Sequence, residues 1–299
     1  MSKSIIIDTD PGTDDAIAML LALCDPSIHI LGVTTVGGNA ALSKTTVNAL
    51  RILDYMNRSD IPVIPGANKP LQGRFSYSYN FHGPSGLTIR LPKHTRKALQ
   101  ETCSDFIAHH IFNSVDPVTI IALGPLTNIA LLMQAYPEAI DYIDEVIIMG
   151  GAIQTVGNIT THAEFNFHND PVAADQIISS GLKITLIDLK ATHQVPFTRT
   201  HFSHFCHPNK AGHLVVDILR NWFKNHPDQS AYHLHDPLAM AILIDRDITT
   251  RRTASIRVAI NNDSMKGSSF EVAGPTSIEI ADSVDVTTFF DLFYRLLDN

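Results

Sequence analysis

Four carboxylates stand close together near the start of the chain, in Asp8-Thr9-Asp10-Pro11-Gly12-Thr13-Asp14-Asp15. They follow a short apolar run and precede an amphipathic stretch, which places them at the end of a strand and the start of a helix. Neighbouring anions repel one another where solvent is limited, unless a cation joins them. Oxygen ligands without nearby His or Cys select Ca²⁺ or Mg²⁺, and a site with many oxygens favours Ca²⁺. The alternative is a solvated turn with capping aspartates, although a cap rarely needs so many acids.

Composition limits the classes of protein to which the chain can belong. Its 299 residues, 44% hydrophobic and 17% charged, predict one domain over residues 1–299 with a full core. A net charge of -8 argues against partners such as nucleic acid or anionic membrane and favours small molecules or cations. Since neither a signal-peptide core nor a membrane-spanning apolar run is visible, we expect a cytoplasmic protein. Three cysteines, far apart, predict neither a disulfide framework nor a structural zinc site.

The elements that must position the acids alternate between β-branched runs and amphipathic stretches. The predicted strands are Ser4–Ile7, His29–Val36, Val118–Ala122, Glu145–Met149 and Lys183–Leu189. The first three strands are each followed by a predicted helix, at Asp14–Leu23, Leu42–Met56 and Asn128–Ala135. Such βαβ units predict an α/β fold with a mainly parallel central sheet and helices on both faces. Ligands of such sheets bind at the carboxyl ends of the strands. Later in the chain we predict helices at Gly212–Lys224, Leu238–Ile244 and Val286–Leu297 and strands at Ser255–Ile260 and Ser277–Ile280.

The segment between Pro65 and Lys93 has no clear periodicity. It carries several aromatic residues among glycines and prolines, namely Phe75, Tyr77, Tyr79, Phe81 and His82. A long aromatic loop is unusual as a solvated linker, which leaves two interpretations open. It is a functional flap, or it is a loop pinned by its own aromatic side chains.

Several blocks of sequence occur together in a fixed order. After Asp8 to Ala16 they are Val33-Thr34-Thr35-Val36-Gly37-Gly38-Asn39, His82-Gly83, Gly124-Pro125-Leu126-Thr127-Asn128, Met149-Gly150-Gly151, Ala163-Glu164-Phe165-Asn166 and His235-Asp236-Pro237. In this order they resemble the inosine–uridine nucleoside hydrolase family. The resemblance implies a Rossmann-like fold, calcium-dependent hydrolysis of the N-glycosidic bond of ribonucleosides, and a homotetramer or homodimer. It leaves the preferred base open.

The resemblance also implies a set of metal ligands. Asp10, Asp15 and Asp236 would hold Ca²⁺ through carboxylates, and the backbone carbonyl of Leu123 would add an oxygen. Asp14 would bridge the ribose and the metal region. Asp10 would then act as base on a water molecule of the cation, whose charge makes that water acidic.

The substrate residues follow from the same resemblance. Asn39, Asn158, Glu164 and Asn166 would bind the ribose, and Phe165 would pack near the sugar ring. For Asn158, which follows a glycine, a turn role is equally open. Glu164 and Asn166 would point the same way if their segment is extended.

Histidines are the candidates for protonating the departing base. A histidine near its ordinary pKa can donate a proton around neutral pH, and His235 is the best placed in the sequence. His233 is a nearby rival, and His82 on the flap would close over the base. A further group, His201, His204, Cys206, His207 and His213, matches no common zinc spacing, so we reject it as a metal site.

Two other functions compete with this interpretation. The Asp8-Thr9-Asp10-x-Gly-Thr13 string also resembles the opening of haloacid-dehalogenase-like phosphatases, with Asp8 as nucleophile and Mg²⁺ as cofactor. Against it stand the inserted Pro11 and the Glu164 and His235 blocks, which that family does not explain. A nucleoside sensor without turnover would bind nucleoside tightly and release no base.

Overall fold

The central strands begin where apolar β-branched residues accumulate. The structure is a computed structural model that describes residues 2–261 and 264–298. The strands of these residues are β1 Lys3–Thr9, β2 Ile28–Thr35, β3 Val63–Pro65, β4 Val118–Ala122, β5 Ile143–Met149, β6 Ile184–Ile187, β7 Pro196–Thr198, β8 Ala231–His233, β9 Thr249–Val258, β10 Ser269–Val272 and β11 Ile278–Val284. β1 contains Ile5, Ile6 and Ile7, all fully buried, as expected for a parallel strand that is covered on both faces.

The helices follow most of the strands in alternation. They are α1 Thr13–Cys24, α2 Leu42–Tyr55, α3 Tyr79–His82, α4 Cys103–Asn113, α5 Thr127–Ala135, α6 Phe165–Asn169, α7 Pro171–Ile178, α8 Leu189–Thr192, α9 Lys210–Asn225, α10 His235–Ile244 and α11 Val286–Leu297. Short 3₁₀ helices occupy Pro137–Asp141, Arg199–His204 and Arg246–Ile248. Among the described residues, no helix is long and apolar enough to cross a membrane.

Nine of the strands form one sheet, in the order β10-β9-β11-β6-β5-β4-β1-β2-β3. The strands from β11 to β3 pair in parallel, whereas β9 pairs antiparallel with both β10 and β11. Ile5 and Ile7 pack into one apolar core and Ile6 into another, because alternate residues of a strand face opposite sides of the sheet. The predicted α/β fold with a mainly parallel sheet is confirmed.

The order of the parallel strands determines where a ligand can bind. β1 lies between β2 and β4. The chain adds β2 and β3 on one side of β1 and then adds β4, β5 and β6 on its other side, so the strand order reverses at β1. In such a sheet the crevice at the carboxyl ends of these strands is the binding site. Asp8 pairs in register with Thr34 of β2 and Ala122 of β4, so the acidic segment begins at this crevice.

Several predicted boundaries differ from the structure. The strand predicted at Ser255–Ile260 belongs to β9, which begins at Thr249, because the charged residues in its first half conceal the alternation. The helix predicted from Leu238 begins at His235, which places the His-Asp pair in its first turn. β10 was not predicted, since only four residues form it.

Candidate active site

Three carboxylates converge where the N-terminal ends of two helices meet. Asp14 and Asp15 lie in the first turn of α1, Asp236 lies in the first turn of α10, and the two helices pack together. One oxygen from each carboxylate lies within 4.8 Å of the others, and all three residues are buried. Helix N-termini favour negative charge, but only by a fraction of what three buried carboxylates require. We call this group the acid cluster.

Asp10 lies beside the acid cluster and is fully buried. Its backbone N–H donates to Asp15 Oδ1 at 3.2 Å, and its own Oδ2 accepts a hydrogen bond from the backbone N–H of Asn39. A Cβ on Gly38 would lie 2.0 Å from Asp10 Oδ2, and a Cβ on Gly124 would lie 2.7 Å from Oδ1. The two glycines therefore let the backbone close around this carboxylate.

The electrostatics of these acids favour a cation. Burial raises the pKa of Asp14 to about 7, with a further contribution from Asp15, and raises those of Asp10 and Asp236 well above their usual range. Asp10 Oδ1 and Asp14 Oδ1 are buried and accept no hydrogen bond from the described residues. Buried anions without partners are costly, and a divalent cation removes that cost. Because the donors are oxygens, the residues fit a hard cation such as Ca²⁺ or Mg²⁺.

A cavity of about 480 Å³ opens at the acid cluster. Of the residues predicted for the site, all line it except Asp10 and Asp15, which have no exposed surface. Leu123, directly after β4, belongs to the lining, and its carbonyl oxygen accepts a hydrogen bond from Asn166 Nδ2 at 2.8 Å. The sequence blocks, distant along the chain, thus meet in one place.

Glu164 and Asn166 lie on one wall, and their segment is helical, so the condition of an extended segment is not met. Glu164 is the N-cap of α6, and its carboxylate accepts from the backbone N–H groups of Asn166, Phe167 and Gly151 at 2.7, 3.0 and 3.1 Å. A short helix with an acidic N-cap has no periodic signal by which the sequence could show it. Burial still outweighs these donors and raises the pKa of Glu164 to about 7.

Asn39 and Asn158 both line the cavity, and each also makes a hydrogen bond that supports the local structure. Asn39 Nδ2 donates to Asp15 Oδ2 at 2.9 Å, so the same side chain orients a member of the acid cluster. Asn158 Oδ1 accepts from the backbone N–H of Phe165 at 2.8 Å, which holds the turn that it occupies. Both interpretations of Asn158, turn residue and site residue, are therefore compatible with its position.

His82 is buried at the end of α3. Its Nδ1 accepts a hydrogen bond from the backbone N–H of Thr13 at 3.0 Å, so in the neutral ring the proton is on Nε2. Burial, with a smaller effect from His226, lowers the pKa of His82 to about 3. His82 is thus fixed against the start of α1.

The flap segment is held by buried side chains of the neighbouring helices. Backbone N–H groups of Ala67, Leu71 and Ser76 donate to Asn128, Asp170 and Asn169, at 2.8, 2.8 and 2.7 Å. These three anchoring side chains lie on α5, at the end of α6 and between α6 and α7, and all are buried. The flap is consequently connected to the wall that carries Glu164.

His235 lies at the start of α10 among other histidines. Its Nδ1 is 2.7 Å from Thr192 Oγ1, and its ring centroid is 5.9 Å from that of His233 and 6.0 Å from that of His193. Burial, followed by the neighbouring histidines, lowers its pKa to about 3. Both His235 and its rival His233 line the cavity.

Some lining residues were not predicted from the sequence. His193, at the end of α8, and Trp222, on α9, both line the cavity. Trp222 packs edge-on against Phe81 and Tyr232, at centroid distances of 5.4 and 4.7 Å. The only signal for Trp222 was its place on the apolar face of an amphipathic helix, and His193 had none.

The rejected histidine group serves packing. His201 stacks on Phe290 and His204 on Tyr294, both of α11, at 4.5 and 5.3 Å between ring centroids.

The fold and the site together define an α/β protein with a buried acid cluster beside a cavity at the switch point of its sheet. The family model of the inosine-uridine preferring nucleoside hydrolases matches residues 5–291. The chain therefore belongs to this family, and it is a ribonucleoside hydrolase, an enzyme class that depends on a metal ion. The family resemblance and the enzyme class predicted from the sequence are confirmed, and the family match argues against the phosphatase alternative.

Individual relatives extend over nearly the whole chain. An uncharacterised protein of Schizosaccharomyces pombe is 38% identical, covering 98% of both chains. The pyrimidine-specific ribonucleoside hydrolase RihA of a Shewanella species is 37% identical, covering 98% of this chain and 95% of the relative. Among solved structures, a plant nucleoside hydrolase superposes with a TM-score of 0.93 at 32% identity, covering 99% of both chains. A purine-preferring ribonucleoside hydrolase from Gardnerella vaginalis gives 0.91 at 28% identity, covering 98% of both.

Proposed function

We propose that this hydrolase is calcium-dependent, with the ion held by Asp10, Asp15, Asp236 and the carbonyl oxygen of Leu123. The acid cluster carries the proposal, because it groups buried oxygen donors at a cavity suited to a nucleoside. Asp14, a member of that cluster, would contact both the ion and the ribose. When bound, the cation supplies positive charge that acidifies an adjacent water and orients the substrate hydroxyls.

Asp10 is proposed as the base that accepts a proton from the attacking water. Its Oδ2 is held by the backbone N–H of Asn39, which leaves Oδ1 as the oxygen with no hydrogen-bond partner among the described residues. A carboxylate fixed through one oxygen is well oriented to accept a proton through the other.

The ribose is proposed to lie against the wall formed by Asn39, Asn158, Glu164 and Asn166, with Phe165 packed near the sugar ring. Cleavage of an N-glycosidic bond develops positive charge on the ribose. The nearby carboxylates of Glu164 and the acid cluster would stabilise that charge.

The departing base is proposed to receive its proton from His235, with His82 nearby. Both side chains line the cavity and both are neutral in the free protein, since burial depresses their pKa values. To act as the acid, the imidazole must first take up a proton from solvent, and the imidazolium then gives one N–H proton to the departing base and returns to the neutral ring.

Pyrimidine ribonucleosides are proposed as the preferred substrates. The support comes from relatives named as pyrimidine-specific ribonucleoside hydrolases, one of them 37% identical over 98% of this chain. We therefore expect kcat/KM for uridine to exceed that for inosine by at least about tenfold, a difference of about 1.4 kcal/mol in transition-state binding. The opposite ratio would assign the chain to the purine-preferring enzymes.

A single assay series tests the proposed function. The protein is incubated with uridine, cytidine, inosine, adenosine and guanosine, and the released base and ribose are measured for each. Chelation should abolish release and Ca²⁺ should restore it, while elemental analysis should find about one Ca²⁺ per chain. Stoichiometric zinc, or full activity after chelation, would contradict the calcium assignment.

Three further expectations stay predictions. They are a homotetramer or homodimer, a single domain over residues 1–299, and a cytoplasmic location. The family resemblance supports the oligomer, and light scattering of the purified protein measures it. The single sheet that extends from β1 to β11 supports one domain.

A further inference from the structure

Asn48 contacts two functional segments that the proposed mechanism treats separately. It lies on α2 and is 2% exposed. Its Nδ2 donates to the carbonyl oxygen of Pro11 at 2.9 Å and to that of Ser85 at 3.0 Å. Pro11 directly follows Asp10 in the acidic segment, whereas Ser85 belongs to the flap segment. One buried side chain therefore joins the two segments.

The direction of both hydrogen bonds follows from the chemistry of the partners. A backbone carbonyl oxygen can only accept, so both hydrogens of the Asn48 amide are used as donors. The surrounding space is tight, since a Cβ on Gly86 would lie 3.1 Å from Asn48 Nδ2 and 3.6 Å from the Pro11 carbonyl oxygen. Loss of the amide would therefore leave two carbonyl oxygens without their donor in a closely packed place.

Lys44 lies one turn earlier on the same face of α2 and contacts the flap. Its Nζ donates to the carbonyl oxygen of Pro84 at 2.7 Å and lies 4.2 Å from the centre of the Tyr79 ring. The flap in turn contributes His82 to the cavity lining. α2 thus presents two side chains to the flap, and of these two Asn48 also reaches the acidic segment.

We infer that Asn48 is a positioning residue that fixes the flap and the segment Asp10–Asp15 relative to each other at the cavity. It does not line the cavity, so it acts through the carbonyl groups of Pro11 and Ser85. This inference rests on the role proposed for Asp10. A shift at Pro11 would move Asp10, and displacement of a reacting group by about 1 Å can lower the rate by about 10²-fold.

Asn48→Leu and Lys44→Met separate the two contacts. Both variants lose a donor to the flap, but only Asn48→Leu also loses the donor to Pro11. With the ribonucleoside that the wild type hydrolyses fastest, we expect KM to rise about fivefold in both variants. kcat should fall about tenfold in Asn48→Leu and stay within about twofold in Lys44→Met. A kcat of Asn48→Leu within about twofold of wild type would overturn the inference.

Thr249→Val is the matched control for a general loss of stability. Thr249 is also buried, and its Oγ1 lies 2.9 Å from the carbonyl oxygens of both Thr250 and Ser283, but it does not line the cavity. Its substitution should lower thermal stability and leave KM and kcat within about twofold of wild type. If Thr249→Val reproduces the kinetic losses of Asn48→Leu, destabilisation explains them and the positioning role is wrong.

Hydrogen exchange of the ligand-free protein tests the flap contact without substrate or ion. The N–H of Gly83 donates to the Tyr79 carbonyl oxygen at 2.8 Å, and that of Gly86 donates to the Gly83 carbonyl oxygen at 2.9 Å. Both amides should exchange at least about tenfold faster in Asn48→Leu than in the wild type. Unprotected exchange at both amides in the wild type would overturn the inference even if Asn48→Leu does not fold.

Asp10→Asn distinguishes this inference from the proposed function. If Asp10→Asn leaves kcat unchanged, the proposed base is wrong, and the exchange at Gly83 and Gly86 still decides whether Asn48 holds the flap. If Asp10→Asn lowers kcat and Asn48→Leu does not, only the role of Asn48 is refuted.

Discussion

At the scale of single residues, the site depends on carboxylates that burial alone would keep protonated. Burial raises the pKa values of Asp10, Asp14 and Asp236, and repulsion from neighbouring aspartates raises each of them further. A cation reverses this balance, since it favours the ionised form of every carboxylate around it. The same residues therefore explain both the need for a metal and the availability of a base.

Asp10→Asn tests the base directly. The amide keeps an oxygen for the neighbouring groups but cannot accept a proton from water, so we expect nucleoside binding to persist and kcat to fall by about 10²–10⁴-fold. Steady-state kinetics and calorimetric binding of uridine measure the two effects. Asp25→Asn, which makes the same change at a buried aspartate outside the cavity lining, serves as the control for disturbance of the fold. A turnover within a few-fold of wild type would show that Asp10 is not the base.

Glu164 links stability to pH in a predictable direction. Burial raises its pKa in the folded protein from 4.5 to about 7, so folding favours the protonated form. Its contribution to stability is complete below about pH 4.5 and is lost as the pH rises to about 7, a decrease of roughly 3 kcal/mol. Glu164→Gln should abolish this part of the pH dependence, because the amide does not ionise.

Urea denaturation of both proteins between pH 4.5 and 8, with Ca²⁺ present throughout, measures this difference. Glu101→Gln changes an exposed acid and should follow the wild-type curve. Parallel curves for wild type and Glu164→Gln would mean that Glu164 is ionised in the folded protein across this range.

The individual site residues divide into those that sequence can predict and those that it cannot. Asp15, Asn39 and Asp236 stand in blocks of specific sequence, so their meeting at one cavity could be predicted. Thr192 ends a helix of four residues and His193 follows it, and such a helix is too short for any periodic signal. Their position near His235 depends on how α8 packs, and no local pattern encodes that.

At the scale of elements, the flap is held by its neighbours as well as by its own aromatic residues. The sequence predicted an irregular aromatic segment and left its role open. The structure connects its first half to α5, α6 and α7 through side chains that accept from its backbone N–H groups. Such long-range acceptors could not be predicted, because Asn169 and Asp170 are ordinary helix-end residues in the sequence.

Asn169→Ala should loosen the flap without disturbing the chemistry. The variant loses the acceptor for the Ser76 N–H, a hydrogen bond worth about 1 kcal/mol. Since Tyr77 and Phe81 line the cavity, we expect KM for uridine to rise about fivefold with kcat within about twofold of wild type. Hydrogen exchange should become faster around Ser76. Asn113→Ala, which removes an exposed side-chain hydrogen bond on α4, is the control. Unchanged exchange at Ser76 would mean that the flap is held by its other contacts.

At the scale of the whole molecule, the acid cluster joins the two ends of the fold. α1 and α10 are more than two hundred residues apart in sequence. Their first turns nevertheless meet beside β1, the strand at which the strand order of the sheet reverses. The mainly parallel sheet could be predicted from the alternation of strands and helices, but its strand order could not. The packing of α10 against α1 could not, because both helices are apolar nearly all round and their sequences specify burial without specifying a partner.

Because a cation at the acid cluster would connect these distant helices, its removal should destabilise the entire fold. A ligand present at about a hundred times its dissociation constant stabilises the folded state by about 2.7 kcal/mol. For a chain of this size that corresponds to a rise in Tm of roughly 5–10 °C, which scanning calorimetry with and without chelator measures. Asp236→Asn should reduce the rise, since it weakens the bridge from α10. Asp60→Asn, which changes an exposed acid paired with Arg58, should retain it. A Tm that does not respond to chelation in the wild type, at Ca²⁺ concentrations that saturate activity, would show that the ion contributes to catalysis without connecting α1 to α10.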